Sequence, residues 1–197
     1  LDAGVEKVIA LSTDKAVNPV NLYGATKLCA EKLFIAANTY RGARAYPQFS
    51  VVRYGNVAGS RGSVIPLFRA KVAAGEPIPI TDEAMTRFWI TLDQAVEFVL
   101  KCSVLMSGGE IFVPMLPSVR IVDLAVAIAE PAGMNQMRMV GIRPGEKIHE
   151  TLVSEDEMRN ALQASDHYVM AEWTTGELER GAYRSDTNPH LLTVEEL

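Results

Sequence analysis

The stretch that decides the fold reads KVIALSTDKAVNPVNLYGATK and covers residues 7–27. Its first part, KVIALS at 7–12, is an almost continuous apolar run, which is typical of a strand covered on both faces of a parallel sheet. After a Pro-Asn loop, apolar residues recur at helical spacing from the N-cap residue Asn21 to a predicted end at Gly42. FSVVRY at 49–54 is a second buried-strand pattern. Strand, helix and strand make a βαβ unit, so the sequence predicts an α/β fold with parallel strands.

The later elements are predicted from the same signals. Helices are expected from Ser63 to Gly75, at 92–106 and at 122–130, and strands at 87–90, 110–114 and 137–142. From about residue 155 the periodicity weakens, which predicts a loosely packed extension.

Composition excludes several classes of protein. The net charge of −5 and the pI near 5.3 disfavour a nucleic-acid surface, which needs a dominant basic patch. The chain has no run of 18 apolar residues, so no membrane segment is predicted within it. The three histidines are far apart, which gives no support for a metal site. Cys29 and Cys102 lie in apolar helical patterns, which predicts core packing and a reducing, cytoplasmic compartment.

Tyr23 and Lys27 are four residues apart at the start of the first predicted helix, so they share one face. An ammonium beside a phenol favours the phenolate, which can take a proton from a sugar hydroxyl while hydride leaves the carbon. The pair alone is weak evidence, because most such pairs are surface decoration. Its position after a strand end raises the functional interpretation, because open α/β sheets bind ligands at the carboxyl edge.

Five ordered motifs carry a resemblance to a known family: STDKA at 12–16, YGATK at 23–27, RYGNVAGSRGSVIP at 53–66, MTRFWIT at 85–91 and RPGEKIHE at 143–150. Together they resemble the nucleotide-sugar 4,6-dehydratases of the short-chain dehydrogenase/reductase type, over about residues 1–170. The branch most similar is the inverting UDP-N-acetylglucosamine 4,6-dehydratases of pseudaminic acid biosynthesis. The resemblance implies the second half of a modified Rossmann fold with a small α/β substrate-binding lobe.

The resemblance also implies catalytic roles. Tyr23 and Lys27 match the pair that oxidises carbon 4 of the sugar with NADP, and Ser12 joins them as a cofactor contact. Lys15 matches the base that removes the proton from carbon 5, and Asp14 the acid that protonates the departing hydroxyl on carbon 6. Thr13 matches the hydroxyl that binds the sugar near carbon 4. For these roles Lys15 must be neutral and Asp14 protonated.

Substrate contacts are implied for a further set of residues. Four of them match the family's contacts to the diphosphate and ribose of a UDP-sugar: Asn56, Arg87, Arg143 and Glu146. Ser63 and Val64 open a predicted helix whose free N–H groups suit an anion or the nucleotide. Guanidinium groups suit a diphosphate because their forked donors match its oxygens. A surface salt bridge remains the alternative for each arginine.

The family's first half, with its NADP-binding glycine turn, has no counterpart here, because no G-x-G-x-x-G pattern follows a strand. The expected division is residues 1–62 for the second half of the Rossmann domain and 63–197 for the substrate lobe, with about 87–114 returning to the Rossmann sheet. We expect the fragment alone to be inactive and the complete protein to be a homo-oligomer. Two alternatives stay open: a nucleotide-sugar 4-epimerase of the same superfamily, and a non-catalytic fragment that binds UDP-sugar.

Overall fold

The computed structural model describes residues 3–42, 44–60, 62–134, 136–176 and 181–197. The strands are β1 (Lys7–Thr13), β2 (Gln48–Tyr54), β3 (Asn56–Val57), β4 (Ile78–Ile80), β5 (Thr86–Ile90), β6 (Ile111–Pro114), β7 (Ser118–Arg120), β8 (Met137–Met139), β9 (Thr151–Val153), β10 (Ala161–Gln163), β11 (His167–Met170) and β12 (Tyr183–Arg184). The helices are α1 (Leu22–Tyr40), α2 (Val64–Ala73), α3 (Leu92–Leu105), α4 (Ile121–Ala129) and α5 (Glu155–Met158), with 3₁₀ turns at Asp14–Ala16 and Glu130–Ala132.

The chain folds into two compact units. The first unit contains residues 1–54, 93–115 and 151–183, and the second contains 55–92, 116–150 and 184–197. Within the segment 87–114, β5 belongs to the second unit, and β6 with nearly all of α3 belongs to the first. The division predicted from the sequence stays a prediction.

The first unit is built on a five-stranded sheet in the order β1-β2-β6-β11-β10. β1, β2 and β6 are parallel, while β11 and β10 add antiparallel edges. Val52 packs with Phe98 and Cys102 of α3, whereas the next residue of β2, Arg53, reaches Glu31 of α1. Because successive side chains of a strand point to opposite faces, α1 and α3 cover opposite faces of the sheet. This confirms the predicted α/β class with parallel strands.

The second unit has its own core. β3, β5 and β7 form one small sheet, and β4 pairs in parallel with β8. Helices α2 and α4 pack over β4 around Phe68, Ile78, Ile80 and Ala125, all fully or almost fully buried. The early Pro66 fits the first turn of α2, where its missing N–H costs nothing.

Two expectations from the sequence are wrong. The segment after residue 155 is not a loose extension, because β11 pairs with β6 from His167 to Met170 and extends the main sheet. Cys29 is exposed rather than in the core, while Cys102 is fully buried. Both thiols are free. Among the described residues, no helix is both long and apolar enough to cross a bilayer.

Candidate active site

The turn after β1 gathers three of the predicted catalytic side chains. The Thr13 hydroxyl donates to Asp14 Oδ1 at 2.8 Å, and the Lys15 ammonium contacts the same oxygen at 2.9 Å. Asp14 is fully buried, whereas the Lys15 side chain is about one third exposed. The Thr13 oxygen also accepts the Lys15 backbone N–H and so caps the 3₁₀ turn. The structure therefore places an acid and an amine in direct contact at the carboxyl end of a parallel strand.

The amino-terminal turn of α1 carries the predicted redox pair. Asn21 caps the helix by accepting the Gly24 N–H at 2.8 Å, as the sequence predicted. Tyr23 is half-exposed, and Lys27 Nζ donates to the Leu11 carbonyl of β1 at 3.1 Å. An ammonium has three donors, so this bond leaves capacity for a ligand.

Gly24 brings α1 and the turn together. An added Cβ would lie 2.2 Å from the Lys15 carbonyl oxygen and 3.0 Å from Cβ of Pro19, so no larger residue fits unless the backbone moves. The motif YGATK therefore requires its glycine for close approach rather than for a special dihedral angle. Sequence reasoning used the flanking Tyr23 and Lys27 and missed this role.

Tyr54 is a second residue that the sequence did not single out. It ends β2 in register with Thr13 of β1, and burial together with the nearby phenol of Tyr23 raises the pKa of Tyr54. Tyr54 is part of the RYGN motif, but its proximity to Tyr23 depends on the packing of α1 against β1 and β2. Tyr54 therefore remains protonated at neutral pH beside Tyr23.

Several buried side-chain oxygens have no hydrogen-bond partner. They include Ser12 Oγ and Asp14 Oδ2 in the first unit and Asn56 Oδ1 and Ser63 Oγ in the second. Asp14 is predicted as a catalytic residue, Ser12 as a cofactor contact, and Asn56 and Ser63 as substrate contacts. Gln48 Oε1, at the other end of β2, is also unpaired. An unpaired buried polar atom is costly, so such atoms call for a ligand or ordered water. The roles of these residues in binding stay predictions.

The residues predicted to bind nucleotide lie in the second unit. Asn56 begins β3, and Ser63 is the N-cap of α2, with Val64 as its first helical residue. The Ser63 side chain makes no capping bond, so its hydroxyl is not used by the helix. The predicted helix start at Ser63 is confirmed, while the contacts of these residues to nucleotide stay predictions.

Arg87 is directed at backbone carbonyls. Its guanidinium donates to the carbonyl oxygens of Thr86, Lys147 and Ile148 at 2.7 to 2.9 Å. These bonds hold the RPGEKIHE segment against β5, where the Thr86 N–H also donates to the Ile148 carbonyl. Sequence reasoning predicted the arginine but missed that it anchors the neighbouring motif.

Arg143 and Glu146 face each other at the other end of that segment. Their side chains are 4.0 Å apart at the nearest N–O pair, and the Arg143 side chain is 72% exposed. An exposed pair at this separation contributes little stability, so the guanidinium is available to an anion. Arg143 and Glu146 come shortly before Lys147 and Ile148, whose carbonyls bind Arg87, and all of these residues belong to the second unit.

A cavity of about 620 Å³ in the first unit does not contain these residues. It lies by the amino end of β6 and is lined by Gly108, Gly109 and Trp173, among others, with no predicted site residue in its wall. This cavity therefore does not coincide with the polar cluster at the end of β1.

A parallel sheet with crossover helices and a polar cluster at its carboxyl edge defines a Rossmann-type α/β protein. The chain matches the polysaccharide biosynthesis protein family over residues 1–172 and belongs to that family.

Individual relatives also resemble this chain over most of its length. The chain is 46% identical to the UDP-N-acetylglucosamine 4,6-dehydratase (inverting) of Campylobacter jejuni serotype O:23/36, over 98% of this chain and 63% of that protein. It is 44% identical to the UDP-glucose 4-epimerase of Rickettsia canadensis, over 83% and 48%. The X-ray structure of Pen from Bacillus thuringiensis is 36% identical, with a TM-score of 0.87, over 98% of this chain and 60% of that one. The chain thus spans a little under two thirds of the first relative.

More distant solved structures share the fold alone. They include nucleotide-sugar epimerases and dehydratases below 25% identity, several of them described with bound NAD. The predicted second half of a Rossmann-type fold is confirmed by these likenesses.

Proposed function

We propose that the full-length natural protein carrying this sequence is an NADP-dependent UDP-N-acetylglucosamine 4,6-dehydratase that inverts carbon 5. The observation that carries the proposal is the cluster at the end of β1, where buried Asp14 binds both the Thr13 hydroxyl and the Lys15 ammonium. The turn packs against the helix that carries Tyr23 and Lys27. Family membership and the 46% identity to the Campylobacter dehydratase support the same reaction.

Residues of the first unit fit the cofactor. Tyr23, Lys27 and Ser12 would hold NADP, because Tyr23 is half-exposed, Lys27 keeps donors in reserve and the buried Ser12 oxygen lacks a partner. When bound, NADP would supply the acceptor for the hydride of carbon 4 and the hydride donated to carbon 6.

The chain's own residues move the protons. Tyr23, as a phenolate beside Lys27, takes the proton of the carbon 4 hydroxyl as the ketone forms. The ketone acidifies the proton on carbon 5, which neutral Lys15 takes. Protonated Asp14 gives its proton to the carbon 6 hydroxyl, which leaves as water. A proton from solvent is finally added at carbon 5 and Tyr23 releases to solvent the proton that it took, so the sugar loses one water in total.

The observed contact between Lys15 and Asp14 fits this sequence of steps. Elimination turns a neutral pair into a lysine ammonium and an aspartate carboxylate, which is the ion pair seen at 2.9 Å. Transfer of one proton along this hydrogen bond restores both starting protonation states at once. Because an opposite charge favours the charged form of each group, the observed contact corresponds to the state after elimination rather than to the state that begins it.

Thr13 and the second unit supply substrate contacts in this proposal. Thr13 binds the sugar near carbon 4, Arg143 and Arg87 bind the diphosphate, and Glu146 binds the ribose. Asn56 and Ser63 add hydrogen bonds through their unpaired buried oxygens, and the N-terminus of α2 at Val64 adds backbone N–H groups.

The proposal extends to context. The product, a UDP-4-keto-6-deoxy sugar, would enter the synthesis of bacterial surface polysaccharide or flagellin glycan through pseudaminic acid. We propose a cytoplasmic location, because UDP-sugars and NADP are supplied in the cytoplasm. We also propose that the protein is a homo-oligomer.

Assays with NADP and NAD in parallel test the cofactor assignment.

The test is turnover of UDP-N-acetylglucosamine by the full-length protein in heavy water, followed by mass spectrometry and NMR. A product lighter by one water, with deuterium and inverted configuration at carbon 5, is expected. A product of unchanged mass with a new configuration at carbon 4 would instead identify a 4-epimerase.

The epimerase is the second candidate because of the 44% identity to the Rickettsia epimerase. The acid and amine at Asp14 and Lys15 favour elimination, since an epimerase needs neither. The short spacing of ten residues from Thr13 to Tyr23 also favours a dehydratase, because epimerases of the superfamily usually have a longer insertion there.

Lys15→Met separates catalysis from binding. We expect it to abolish dehydration while the protein still binds UDP-N-acetylglucosamine, measured by calorimetry. Lys32→Met is the matched control, because Lys32 is an exposed lysine of α1 outside the predicted site. Unchanged turnover in Lys15→Met would contradict the base assignment, and binding without turnover in the wild type would favour a non-catalytic UDP-sugar protein.

A further inference from the structure

Arg53 is a fully buried arginine in the middle of the first unit, and the proposed mechanism does not use it. Its Nε and Nη2 donate to the two carboxylate oxygens of Glu31 at 2.9 and 2.6 Å. Nη1 and Nη2 donate to Glu157 at 3.0 and 2.9 Å, and Nη1 also donates to the Leu152 carbonyl at 2.8 Å. A guanidinium has five N–H donors, and all of them are used here.

These bonds join elements that carry the candidate catalytic groups. Glu31 lies on α1, the helix whose first turns hold Tyr23 and Lys27. Leu152 lies on β9, which packs against the 3₁₀ turn of Asp14 and Lys15. Arg53 itself is on β2, the strand paired with β1 along its length.

We propose that Arg53 is a positioning residue that fixes the helix of Tyr23 and Lys27 relative to the turn of Asp14 and Lys15. The inference rests on the proposed function, because it concerns the geometry of that site. Hydride transfer and elimination depend on that geometry, and a displacement of about 1 Å can cost on the order of a hundredfold in rate.

The ion pairs of Arg53 with Glu31 and Glu157 are suited to holding these elements rigidly in place. Burial alone would lower the pKa of Arg53, but the hydrogen bonds and charges of Glu31 and Glu157 outweigh it, and the pKa is raised. Burial would raise the pKa of Glu157, but Arg53 and Ser154 lower it. Arg53 and Glu157 therefore stay ionised at neutral pH. Removal of Arg53 would leave the buried Glu31 carboxylate uncompensated, which is strongly destabilising, whereas removal of the Glu31 charge leaves Arg53 paired with Glu157 but weakens its bonds to α1.

Glu110 offers a matched control in the same sheet. It is buried like Glu31, and its carboxylate accepts from the Ser50 hydroxyl at 2.6 Å and from the Ser107 and Gly108 N–H groups. It lies at the amino end of β6, away from the catalytic turn. Glu31→Gln and Glu110→Gln thus neutralise two buried carboxylates, of which only one is bound to Arg53.

The experiment compares both variants in the full-length protein by kcat, KM for UDP-N-acetylglucosamine, melting temperature and hydrogen exchange. We expect both to lower the melting temperature. Only Glu31→Gln should lower kcat, by about tenfold or more, with KM within about twofold, because the misplaced groups act on reacting atoms. Arg53→Lys should act in the same direction, since lysine offers only three donors.

An equal kcat per folded molecule in Glu31→Gln and Glu110→Gln would overturn the inference. If Glu31→Gln does not fold, Glu157→Gln replaces it, because the Glu157 side chain is 25% exposed and its loss is milder. If the wild type does not dehydrate the sugar, the proposed function fails, but hydrogen exchange still decides the positioning role. Faster exchange at both 12–17 and 22–31 in Glu31→Gln but not in Glu110→Gln supports it, and unchanged exchange in either segment contradicts it.

Discussion

Gly24 of α1 lies directly against the backbone of Lys15, with room for no Cβ atom: one would stand 2.2 Å from the Lys15 carbonyl oxygen. The contact sets how closely the tyrosine helix approaches the Asp14–Lys15 turn. We therefore expect Gly24→Ala to push the two elements apart, at a cost of about 1–3 kcal/mol in the free energy of unfolding.

Gly24→Ala should also lower the kcat of the full-length protein by more than its loss of stability explains, since the displaced helix carries Tyr23. Gly181→Ala is the control, because an added Cβ there meets nothing within 4 Å. Steady-state kinetics well below the melting temperature check the prediction. A Gly24→Ala enzyme with the kcat of Gly181→Ala would show that the contact has no catalytic consequence.

The two predicted diphosphate arginines should respond differently to substitution. Arg143 is mostly exposed, with its nearest carboxylate 4.0 Å away, whereas Arg87 is bound to three backbone carbonyls. Arg143→Gln should raise KM for the UDP-sugar about tenfold, the effect of losing one charge-assisted hydrogen bond, and leave the melting temperature unchanged.

Arg87→Gln should raise KM as well, but it should also lower the melting temperature by about 2–4 °C for each kcal/mol lost, because the 143–149 segment loses its anchor. Thermal unfolding and kinetics on the same preparations separate the two effects. Equal melting temperatures for both variants would mean that the carbonyl contacts of Arg87 do not hold the segment.

Local signals in the sequence predicted most of the fold. KVIALS, FSVVRY and the helix between them lie within one or two residues of the observed β1, β2 and α1, because apolar periodicity and the Asn21 cap are encoded locally. Cys29 was misplaced because α1 leaves much of its apolar surface exposed, including Leu22 and Leu33. Periodicity alone does not tell which face is covered.

The candidate site also has a part that the sequence predicts and a part that only the fold creates. Asp14, Lys15, Tyr23 and Lys27 are close in sequence, so a motif could carry them. The bond of Arg53 to Glu157 spans 104 positions and has no periodic signature. Gly24 is part of the YGATK motif, but only the packing of α1 on the Asp14–Lys15 turn explains why a glycine is required there.

The Glu157 carboxylate should make stability depend on acid pH. Burial would raise its pKa, but Arg53 and Ser154 lower it below the ordinary value. A group whose pKa is depressed in the folded state contributes stability that is present above its unfolded pKa of about 4.3 and lost as the pH falls toward the folded value. The wild type should therefore lose melting temperature faster than Glu157→Gln below about pH 4.3.

Melting temperatures of the wild type and Glu157→Gln from neutral pH down to about pH 3 measure this difference. The gap between the two proteins should narrow as the pH falls, since protonated glutamate and glutamine both lack the charge that Arg53 needs. Parallel curves over the whole range would show that Glu157 is not held ionised by Arg53.

The two free cysteines should differ sharply in reactivity. Cys29 is exposed on α1, whereas Cys102 is fully buried among Val52, Phe98 and Phe112. Burial raises the pKa of Cys102 to about 12, so its thiol is neither accessible nor ionised at neutral pH.

Iodoacetamide should therefore label Cys29 and leave Cys102 unmodified in the native protein, as checked by peptide mapping. The guanidinium-unfolded protein, which should be labelled at both positions, is the control. Labelling of Cys102 under native conditions, at a rate near that of Cys29, would contradict the packing of α3 on the sheet.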